Sequence, residues 1–434
     1  MDKMADVLGR AGAWCGQNKY LSAIKNAFQN FMPLTIAGAI GVLWCNVLVN
    51  DQTGLGLFFK PIMALDFLNP AFQAVNFCTI SCITVGITLG IAQEIGVWNM
   101  GAERAGYIPG LVGLAAWLSV TNTSHMVEGA KEAFTGIAGN ELGATGLFTG
   151  MIIGVLSVEL FCFFEKQDAL KIKMPEQVPP GVARAFEVLV PATITLIITA
   201  CIGSACYNLT GLYLNDVIKN GIQGPLGAVG ATIPGVMIIY LVIMLFWLVG
   251  IHGNNMLSAV KEALFTPLAL ENVEKFNKGE KPTNIINMYA LQMWGEFGGS
   301  GVTIGLVIAI MIFGKREDNK AIATLSLVPG LFNINETVTF GIPMVLNPIL
   351  GIPFVVAPLV TIIIGYVLTV IGFCPVACLT VPWTTPPIVF GFLACGANVM
   401  GAVTQAILIV VSTVIYVPFL IGYEKYQNKQ AAEA

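Results

Sequence analysis

The chain is organised around the stretch FNINETVTFGIPMVLNP, residues 332–348, which surrounds a single acid with amides, glycine and prolines inside a long apolar region. Between Lys320 and Glu424 the only residue with an ionisable carboxylate or amine is Glu336. A carboxylate in such hydrophobic surroundings is costly unless it faces protein, water or a ligand. Glu336 is therefore the first candidate for a functional site.

Glycines and prolines around Glu336 predict a broken helix rather than an ordinary spanning one. A proline lacks the backbone N–H that a helix interior needs, and glycine lowers helix propensity. The interrupting residues are Pro329, Gly330, Gly341, Pro343 and Pro348. Broken backbone at membrane depth persists only where it is buried in protein or lines a wet cavity, which is how transporters build their substrate sites.

The composition is that of a polytopic membrane protein. The chain is 56% hydrophobic and 11% charged, with a mean hydropathy of +0.78, whereas a soluble domain carries about 25% charged residues. The net charge of -4 says little, since charge in such a chain acts loop by loop. Most cysteines lie in apolar runs without the spacing of a metal site, so we expect reduced thiols, no metal and no cofactor. No nucleic-acid partner is expected.

We predict an all-α polytopic fold with about ten transmembrane helices, re-entrant hairpins and amphipathic helices, with about eight crossings as the alternative. Residues 1–30 combine scattered lysines with apolar residues, which is typical of an amphipathic segment on the membrane surface. The candidate spans are residues 31–49, 67–92, 107–120, 147–164, 188–207, 353–373 and 397–420. Basic residues in the linker at 165–184 and in the C-terminal tail predict cytoplasmic segments and two cytoplasmic termini.

The second half of the chain concentrates the broken apolar segments. Residues 221–260 carry no charge if His252 is neutral. At about 1.5 Å per residue this run is longer than one crossing of a roughly 30 Å hydrocarbon core, so it must bend, re-enter or leave the bilayer. Residues 261–281, rich in lysine and glutamate, are predicted to be cytoplasmic. We infer a scaffold and dimerisation domain at residues 31–215 and a substrate-binding transport domain at residues 216–434.

The amides beside Glu336 favour a binding site for a polyhydroxylated ligand. Asn333 and Asn335 offer donors and acceptors next to the carboxylate. The carboxylate itself can accept a hydrogen bond from a hydroxyl group or take its proton as a general base. The alternative interpretation is a buried glutamate that holds two helix ends through backbone N–H groups.

The stretch WLVGIHGNN, residues 247–255, is the second candidate. It contains Trp247, His252, Asn254 and Asn255, which we interpret as residues that contact the ligand. Histidine can donate, accept or shuttle a proton near neutral pH. The alternative interpretation is a histidine that caps a helix or is satisfied within the core.

The stretch VPWTTPP, residues 381–387, is the third candidate because its prolines favour an extended loop. Trp383 would offer a flat apolar face and one N–H donor, on which a sugar ring can lay its C–H groups. The alternative is a tryptophan at the membrane interface. Glu296, Glu141 and His125 are weaker candidates, which we interpret as loop or cap residues.

Four stretches together resemble the IIC membrane component of the bacterial phosphotransferase system, in its lactose/cellobiose/diacetylchitobiose branch. They are FMPLTIAGAIGVL at residues 31–43, WLVGIHGNNM at residues 247–256, FNINETVTFGIPMVLNP and VPWTTPP. The resemblance extends over essentially the whole chain, and the second and third stretches are specific in combination. One departure is Thr337, where the family pattern has proline. This difference affects the rigidity expected of the loop.

The resemblance implies a sugar permease of the bacterial cytoplasmic membrane, a two-domain elevator-type homodimer whose N-terminal half dimerises. Its C-terminal half would bind a β-linked disaccharide of the diacetylchitobiose or cellobiose type. Glu336 and His252 would lie beside the hydroxyl that receives the phosphoryl group. The donor would be a phosphocysteine on a separate IIB protein, without which this chain is not catalytic.

Two other classes of transport protein remain as alternatives. An ion-coupled secondary sugar transporter would also place a glutamate and a histidine in a broken-helix site. It would accumulate unmodified sugar, whereas the family function yields a phosphorylated product only when phosphorylated IIB is present. A channel is disfavoured by the amide-rich motifs, and nothing in the residues ranks one disaccharide above another.

Overall fold

The computed structural model describes residues 10, 13–14, 17–51, 55–125, 134–175, 177–342 and 344–433. Part of the predicted amphipathic segment at residues 1–30 lies outside them, as does Pro343. The described chain is mostly helical and divides into two compact units. The N-terminal unit contains Gln17–Ala37 and Phe77–Ala228, and the C-terminal unit contains Gly38–Asn76 and Val229–Ala434.

Helices also dominate the first half of the described chain. They are α1 (Lys19–Leu43), α2 (Leu55–Phe58), α3 (Asn69–Asn76), α4 (Ile83–Met100), α5 (Ala102–Ala105), α6 (Ile108–Val120), α7 (Gly139–Leu142), α8 (Ala144–Glu165) and α9 (Pro180–Thr210). Short π or 3-10 segments lie at Trp44–Leu48, Lys60–Leu68, Phe77–Ser81 and Asp168–Leu170. A small antiparallel pair, β1 (Ser124–His125) and β2 (Phe134–Thr135), departs from the predicted all-α fold.

The second half contains shorter helices and more breaks. After the helix α10 (Leu214–Ile218) and a π segment at Lys219–Gln223 come α11 (Gly224–Gly230), α12 (Ile233–Leu248), α13 (Gly253–Asn277), α14 (Met288–Gly295), α15 (Ile304–Phe313), α16 (Glu317–Leu331), α17 (Glu336–Gly341), α18 (Gly351–Val370), α19 (Val389–Ala394) and α20 (Val399–Glu433). The uncharged run at 221–260 is therefore divided between helices, as its length predicts.

Five helices in the described part of the chain are long and apolar enough to cross a membrane. They are Lys19–Leu48, Ala144–Glu165, Pro180–Thr210, Gly351–Val370 and Val399–Gln430. The bent pair Lys60–Ser81 and Ile83–Met100 brings the number to six if it counts as one span, and α6, α12 and α15 are shorter apolar helices. The chain is thus a multi-pass membrane protein, while about ten crossings stays a prediction.

The predicted amphipathic segment at residues 1–30 overlaps the beginning of α1. Residues 19–30 continue without a break into the rest of α1, and their polar side chains have partners within the N-terminal unit. Lys19 Nζ lies 2.6 Å from a carboxylate oxygen of Glu159, and Asn26 donates a hydrogen bond to Glu94 at 2.9 Å. These side chains therefore pack on other helices, while the position of residues 1–30 at the membrane surface stays a prediction.

The predicted span at residues 67–92 is also interrupted. Its helix ends with the π segment Phe77–Ser81, and α4 begins after Cys82. This run is apolar throughout, so hydropathy carries no information about where the helix breaks.

Small residues let the helices of the N-terminal unit pack closely. α4 lies against α6 and α8, and a Cβ atom at Gly113 would collide with Ala92, as one at Gly150 would with Thr88. Helices in a membrane associate largely through such close packing. At one end of this bundle Glu165, which is buried, lies 2.8 Å from Arg104 and 2.9 Å from Arg184.

A buried asparagine network fixes one end of the C-terminal unit. The Asn272 and Asn287 side chains are both fully buried. Each donates hydrogen bonds to the carbonyl groups of Asn284 and Ala377, at 2.8–3.1 Å. Asn287 also accepts the backbone N–H of Tyr289 at 3.0 Å and so caps α14. The network therefore joins α13, α14 and the segment that precedes the 381–387 loop.

Candidate functional site

A cavity of about 430 Å³ lies within the C-terminal unit, beside two breaks in its helices. The first break, residues 296–303, separates α14 from α15, and the second break, residues 332–335, separates α16 from α17. The lining includes His252, Asn254, Asn255, Asn333, Asn335, Glu336 and Trp383. The fold thus gathers all the predicted site residues except Trp247 around one cavity.

Left-handed backbone shapes the first break. Gly298, Gly299 and Gly301 have φ angles of 69°, 88° and 81°, which glycine adopts without a steric cost. Gly299 also lines the cavity. A Cβ atom there would lie 2.6 Å from the side chain of Asn335, so the close approach of the two breaks depends on this glycine.

Asn333 ties the second break to two other segments. Its φ of 62° is a left-handed conformation that asparagine tolerates better than most residues. Its Oδ1 accepts the backbone N–H of Gly298 at 2.6 Å. Its Nδ2 donates to the carbonyl of Thr385 at 3.1 Å and also to that of Trp383. Asn333 therefore joins the first break, the second break and the 381–387 loop.

Asn335 makes a second connection between the breaks. It is buried, and its Nδ2 donates to the carbonyl of Ser300 at 2.7 Å. Together with Asn333 it fixes the backbone immediately before Glu336, the first residue of α17. Contact of these two amides with a sugar stays a prediction, since the observed bonds engage them with backbone groups.

Glu336 and His252 face each other in the cavity. The Nε2 atom of His252 lies 3.9 Å from Oε1 of Glu336, and their side chains are 39% and 48% exposed. This separation is longer than a direct hydrogen bond. His252 caps α13, because its Nδ1 accepts the backbone N–H of Asn255 at 3.3 Å. In the neutral imidazole the proton therefore sits on Nε2, the atom that faces Glu336.

Trp247 lies behind His252 and does not line the cavity. Its indole is 2% exposed, and its ring centroid is 4.5 Å from that of His252. In this arrangement it supports the imidazole from the core. The predicted sugar contact of Trp247 therefore has no counterpart in the geometry, because the helix α12 turns its side chain inward.

Asn254 and Trp383 border the cavity through different elements. Asn254, in the first turn of α13, donates from Nδ2 to Ser300 Oγ at 2.9 Å. Trp383 is 42% exposed, and Asn333 holds its carbonyl group. A half-exposed indole beside a polar cavity keeps an apolar face available to a ligand.

Two charged residues contribute to the site beyond the predicted set. Lys261, in the segment predicted to be cytoplasmic, is buried and lines the cavity. Its ammonium group contacts the carboxylate of Glu296 and donates to Asn254 Oδ1 at 3.1 Å. Glu296, interpreted as a loop or cap residue, lines the same cavity and accepts the Tyr240 hydroxyl at 2.6 Å.

The sequence did contain one sign of this arrangement. Lys261 follows Asn254 by seven residues, two turns of α13, so both project from the same face of the helix. No comparable pattern pointed to Gln292, Ser300 or Gln405, which complete the polar lining.

The other weak candidates and the metal prediction concern separate parts of the chain. Glu141 and His125 belong to the N-terminal unit and do not line the cavity. Among the described residues, no group of three or more His, Cys, Asp or Glu side chains is arranged to hold a metal ion. The cysteines that the structure describes are free thiols.

Comparison with known proteins gives consistent matches along the chain. The family model described as "Phosphotransferase system, EIIC" matches residues 25–358. The oligo-beta-mannoside-specific EIIC component of Bacillus subtilis is 32% identical over 98% of this chain and 94% of the relative. The cellobiose-specific EIIC component of Lactococcus lactis is 30% identical over 98% of both chains.

A solved structure matches the fold as well. The transporter ChbC, the IIC component from the N,N'-diacetylchitobiose-specific phosphotransferase system, superposes with a TM-score of 0.88. The match covers 97% of each chain, at 29% sequence identity.

Proposed function

Because the chain belongs to the phosphotransferase system EIIC family, we propose that its cavity binds a β-linked disaccharide and presents one hydroxyl group to a separate phosphorylated IIB protein. The chain is a sugar permease of that system. Membership of the family favours phosphorylation-coupled uptake over the alternative of an ion-coupled secondary transporter.

The substrate class rests on the relatives. Their names specify oligo-beta-mannosides, cellobiose and N,N'-diacetylchitobiose, all of which are β-linked sugars. The cavity suits such a ligand because amides, carboxylates and a half-exposed indole meet around it. Pockets for small molecules combine apolar surface with a few well-placed polar groups in this way.

The separation of His252 and Glu336 is the observation that carries the proposal. Across 3.9 Å, one oxygen atom can lie within hydrogen-bond distance of both Nε2 and Oε1. A sugar hydroxyl there donates its proton to Glu336 and accepts a hydrogen bond from His252. Both groups orient the hydroxyl, and neither needs to move far.

The phosphoryl transfer then follows from this orientation. The hydroxyl oxygen attacks phosphorus, its proton passes to Glu336, and the S–P bond of the phosphocysteine breaks with departure of the thiolate. Phosphoryl transfer depends mainly on alignment and on stabilisation of charge, and a general base contributes further. The product carries negative charge beside Glu336, which favours its release to the cytoplasm.

Two compact units are compatible with two separate roles in transport, although their bounds differ from the predicted domains in that Gly38–Asn76 belongs to the C-terminal unit. In the proposed homodimer residues 31–215 form the dimer contact, residues 216–434 carry the sugar in an elevator-type movement, and both termini are cytoplasmic. Thr337, which replaces the family proline, is an exposed residue in the first turn of α17. Proline and other residues are both accepted in a first helical turn, so α17 forms with threonine too.

Uptake into proteoliposomes tests the proposal. Purified protein is reconstituted, phosphorylated IIB is enclosed, and labelled cellobiose, β-mannobiose and diacetylchitobiose are supplied outside, with the α-linked maltose as a control. We expect phosphorylated β-linked disaccharide inside, and none without IIB. Accumulation of unmodified sugar independent of IIB would overturn the proposal.

A further inference from the structure

Glu296 has a bonding pattern that the proposed phosphorylation chemistry does not use. Its Oε1 accepts the Tyr240 hydroxyl at 2.6 Å and also contacts the ammonium group of Lys261. No hydrogen bond from the described residues reaches its Oε2. The side chain is 18% exposed and lines the sugar cavity. Oε2 is therefore an acceptor with free capacity in a cavity wall.

Lys261 and Tyr240 hold this carboxylate in place. The Lys261 ammonium group is 7% exposed and also donates to Asn254 Oδ1 at 3.1 Å. Tyr240 is 1% exposed, and its ring lies 5.5 Å from the Lys261 nitrogen. An ammonium group at this place compensates the negative charge of Glu296, and together with the Tyr240 hydroxyl it fixes the orientation of the carboxylate. Glu296 is thus held in a position from which Oε2 can accept a hydrogen bond from a sugar hydroxyl.

We infer that Glu296 is a second sugar-binding carboxylate, which accepts a hydrogen bond from a hydroxyl other than the one phosphorylated. Lys261 and Tyr240 act as its positioning residues. The inference rests on the proposed function, because the ligand is the same neutral disaccharide. It assigns the pair Lys261 and Glu296 to substrate selection, and it leaves the transfer step to Glu336 and His252.

Monodeoxy analogues of the disaccharide test this assignment by titration calorimetry on the purified protein. In the wild-type protein, removal of the hydroxyl that Glu296 holds should weaken binding about tenfold, which is the scale of one charge-assisted hydrogen bond. Glu296→Gln should weaken the parent sugar about tenfold, and the same deoxy analogue should then bind as well as the parent. An equal loss for every analogue in both proteins would overturn the inference.

A charge-neutral double variant separates binding from folding. Lys261→Met and Glu296→Gln each leave one buried group without its partner, so a lower melting temperature is expected of both single variants. The combination Lys261→Met/Glu296→Gln removes the charge imbalance and should recover stability while its sugar affinity stays low. Full recovery of affinity would mean that the pair only supports the fold, and the inference would fail.

Tyr240→Phe keeps the ion pair of Lys261 and Glu296, and it tests the inference if the other variants do not fold. Loss of one donor to Oε1 should weaken sugar binding about threefold and reduce discrimination at the same hydroxyl. Glu317→Gln, at an exposed carboxylate of α16, is the matched control and should bind every analogue as the wild-type protein does. If the wild-type protein binds no β-linked disaccharide, the proposed function is refuted. If it binds the disaccharide, but the effects of Glu296→Gln and of the deoxy analogues on affinity are independent of each other, only this inference is refuted.

Discussion

The side-chain oxygen of Asn333 lies 2.6 Å from the backbone nitrogen of Gly298, so this asparagine connects the two helix breaks at residues 296–303 and 332–335. The same amide group donates to the carbonyls of Trp383 and Thr385. The walls of the cavity are therefore joined through the side chain of Asn333.

Asn333→Ala should loosen this contact and weaken sugar binding. It leaves the N–H of Gly298 and two carbonyl groups without their partner, at a cost of about 1–3 kcal/mol for an unsatisfied buried group. We expect a lower melting temperature in detergent and a higher dissociation constant for the disaccharide. Asn208→Ala, at an exposed position of α9, is the control and should match the wild-type protein. Unchanged stability and affinity in Asn333→Ala would contradict the proposed contact.

Glu336→Gln should preserve folding but reduce phosphorylation about 10²- to 10⁴-fold, since this is the usual contribution of a general base. The amide keeps the size of the side chain and a hydrogen-bond acceptor. Transfer from phosphorylated IIB to the sugar is measured at saturating sugar, so that loss of affinity is separated from loss of rate. A wild-type rate in this variant would remove Glu336 from the mechanism.

His252→Asn separates the two roles of this histidine. Asparagine is a good N-cap residue, so it can still accept the backbone N–H of Asn255 and keep the start of α13. Its amide is too short to replace Nε2 opposite Glu336. We expect a melting temperature near that of the wild type and a rate of phosphoryl transfer about tenfold lower, on the scale of one lost hydrogen bond. If His252 acts only as a cap, the variant will keep its full rate.

Gly299→Ala should lower stability and sugar affinity by more than the strain of its backbone angle alone would. The residue has φ of 88°, and the added Cβ would lie 2.6 Å from the Asn335 side chain. Gly211→Ala is the matched control, because φ there is 72° and the added Cβ meets nothing within 4 Å. The control should lose about 1 kcal/mol of stability, whereas Gly299→Ala should lose more and also bind sugar poorly. Equal effects of the two substitutions on melting temperature and affinity would argue against the close packing of the breaks.

The position of Glu336 could be predicted because a lone charge stands out in an apolar sequence. The prolines and glycines around it correctly predicted a break, and the glycine and twin asparagines beside His252 brought it into the same hypothesis. These features are local in sequence. The hydrogen bonds by which Asn333 joins the two breaks are not local in sequence. They depend on which backbone groups the folded chain leaves without a partner in a helix.

Lys261 shows the opposite case. It begins a run of charged residues, so hydropathy assigned it to the cytoplasm, although α13 carries its side chain into the cavity.

The number of crossings was equally hard to derive, because short helices such as α14 and α17 leave no distinct hydropathy peak. The surface segment predicted for residues 1–30 stays a prediction, and the sequence did not show that Lys19 and Asn26 have partners on remote helices.

The asparagine network at Asn272 and Asn287 has a consequence for biosynthesis. Both amides donate to the carbonyl of Ala377, which the ribosome adds about a hundred residues later than Asn272. Until that segment emerges, each of these amides lacks one of its two carbonyl partners, although the carbonyl of Asn284 is already present. The C-terminal unit should therefore stay accessible to proteases while its last third is being translated, and become protected only when that segment is present.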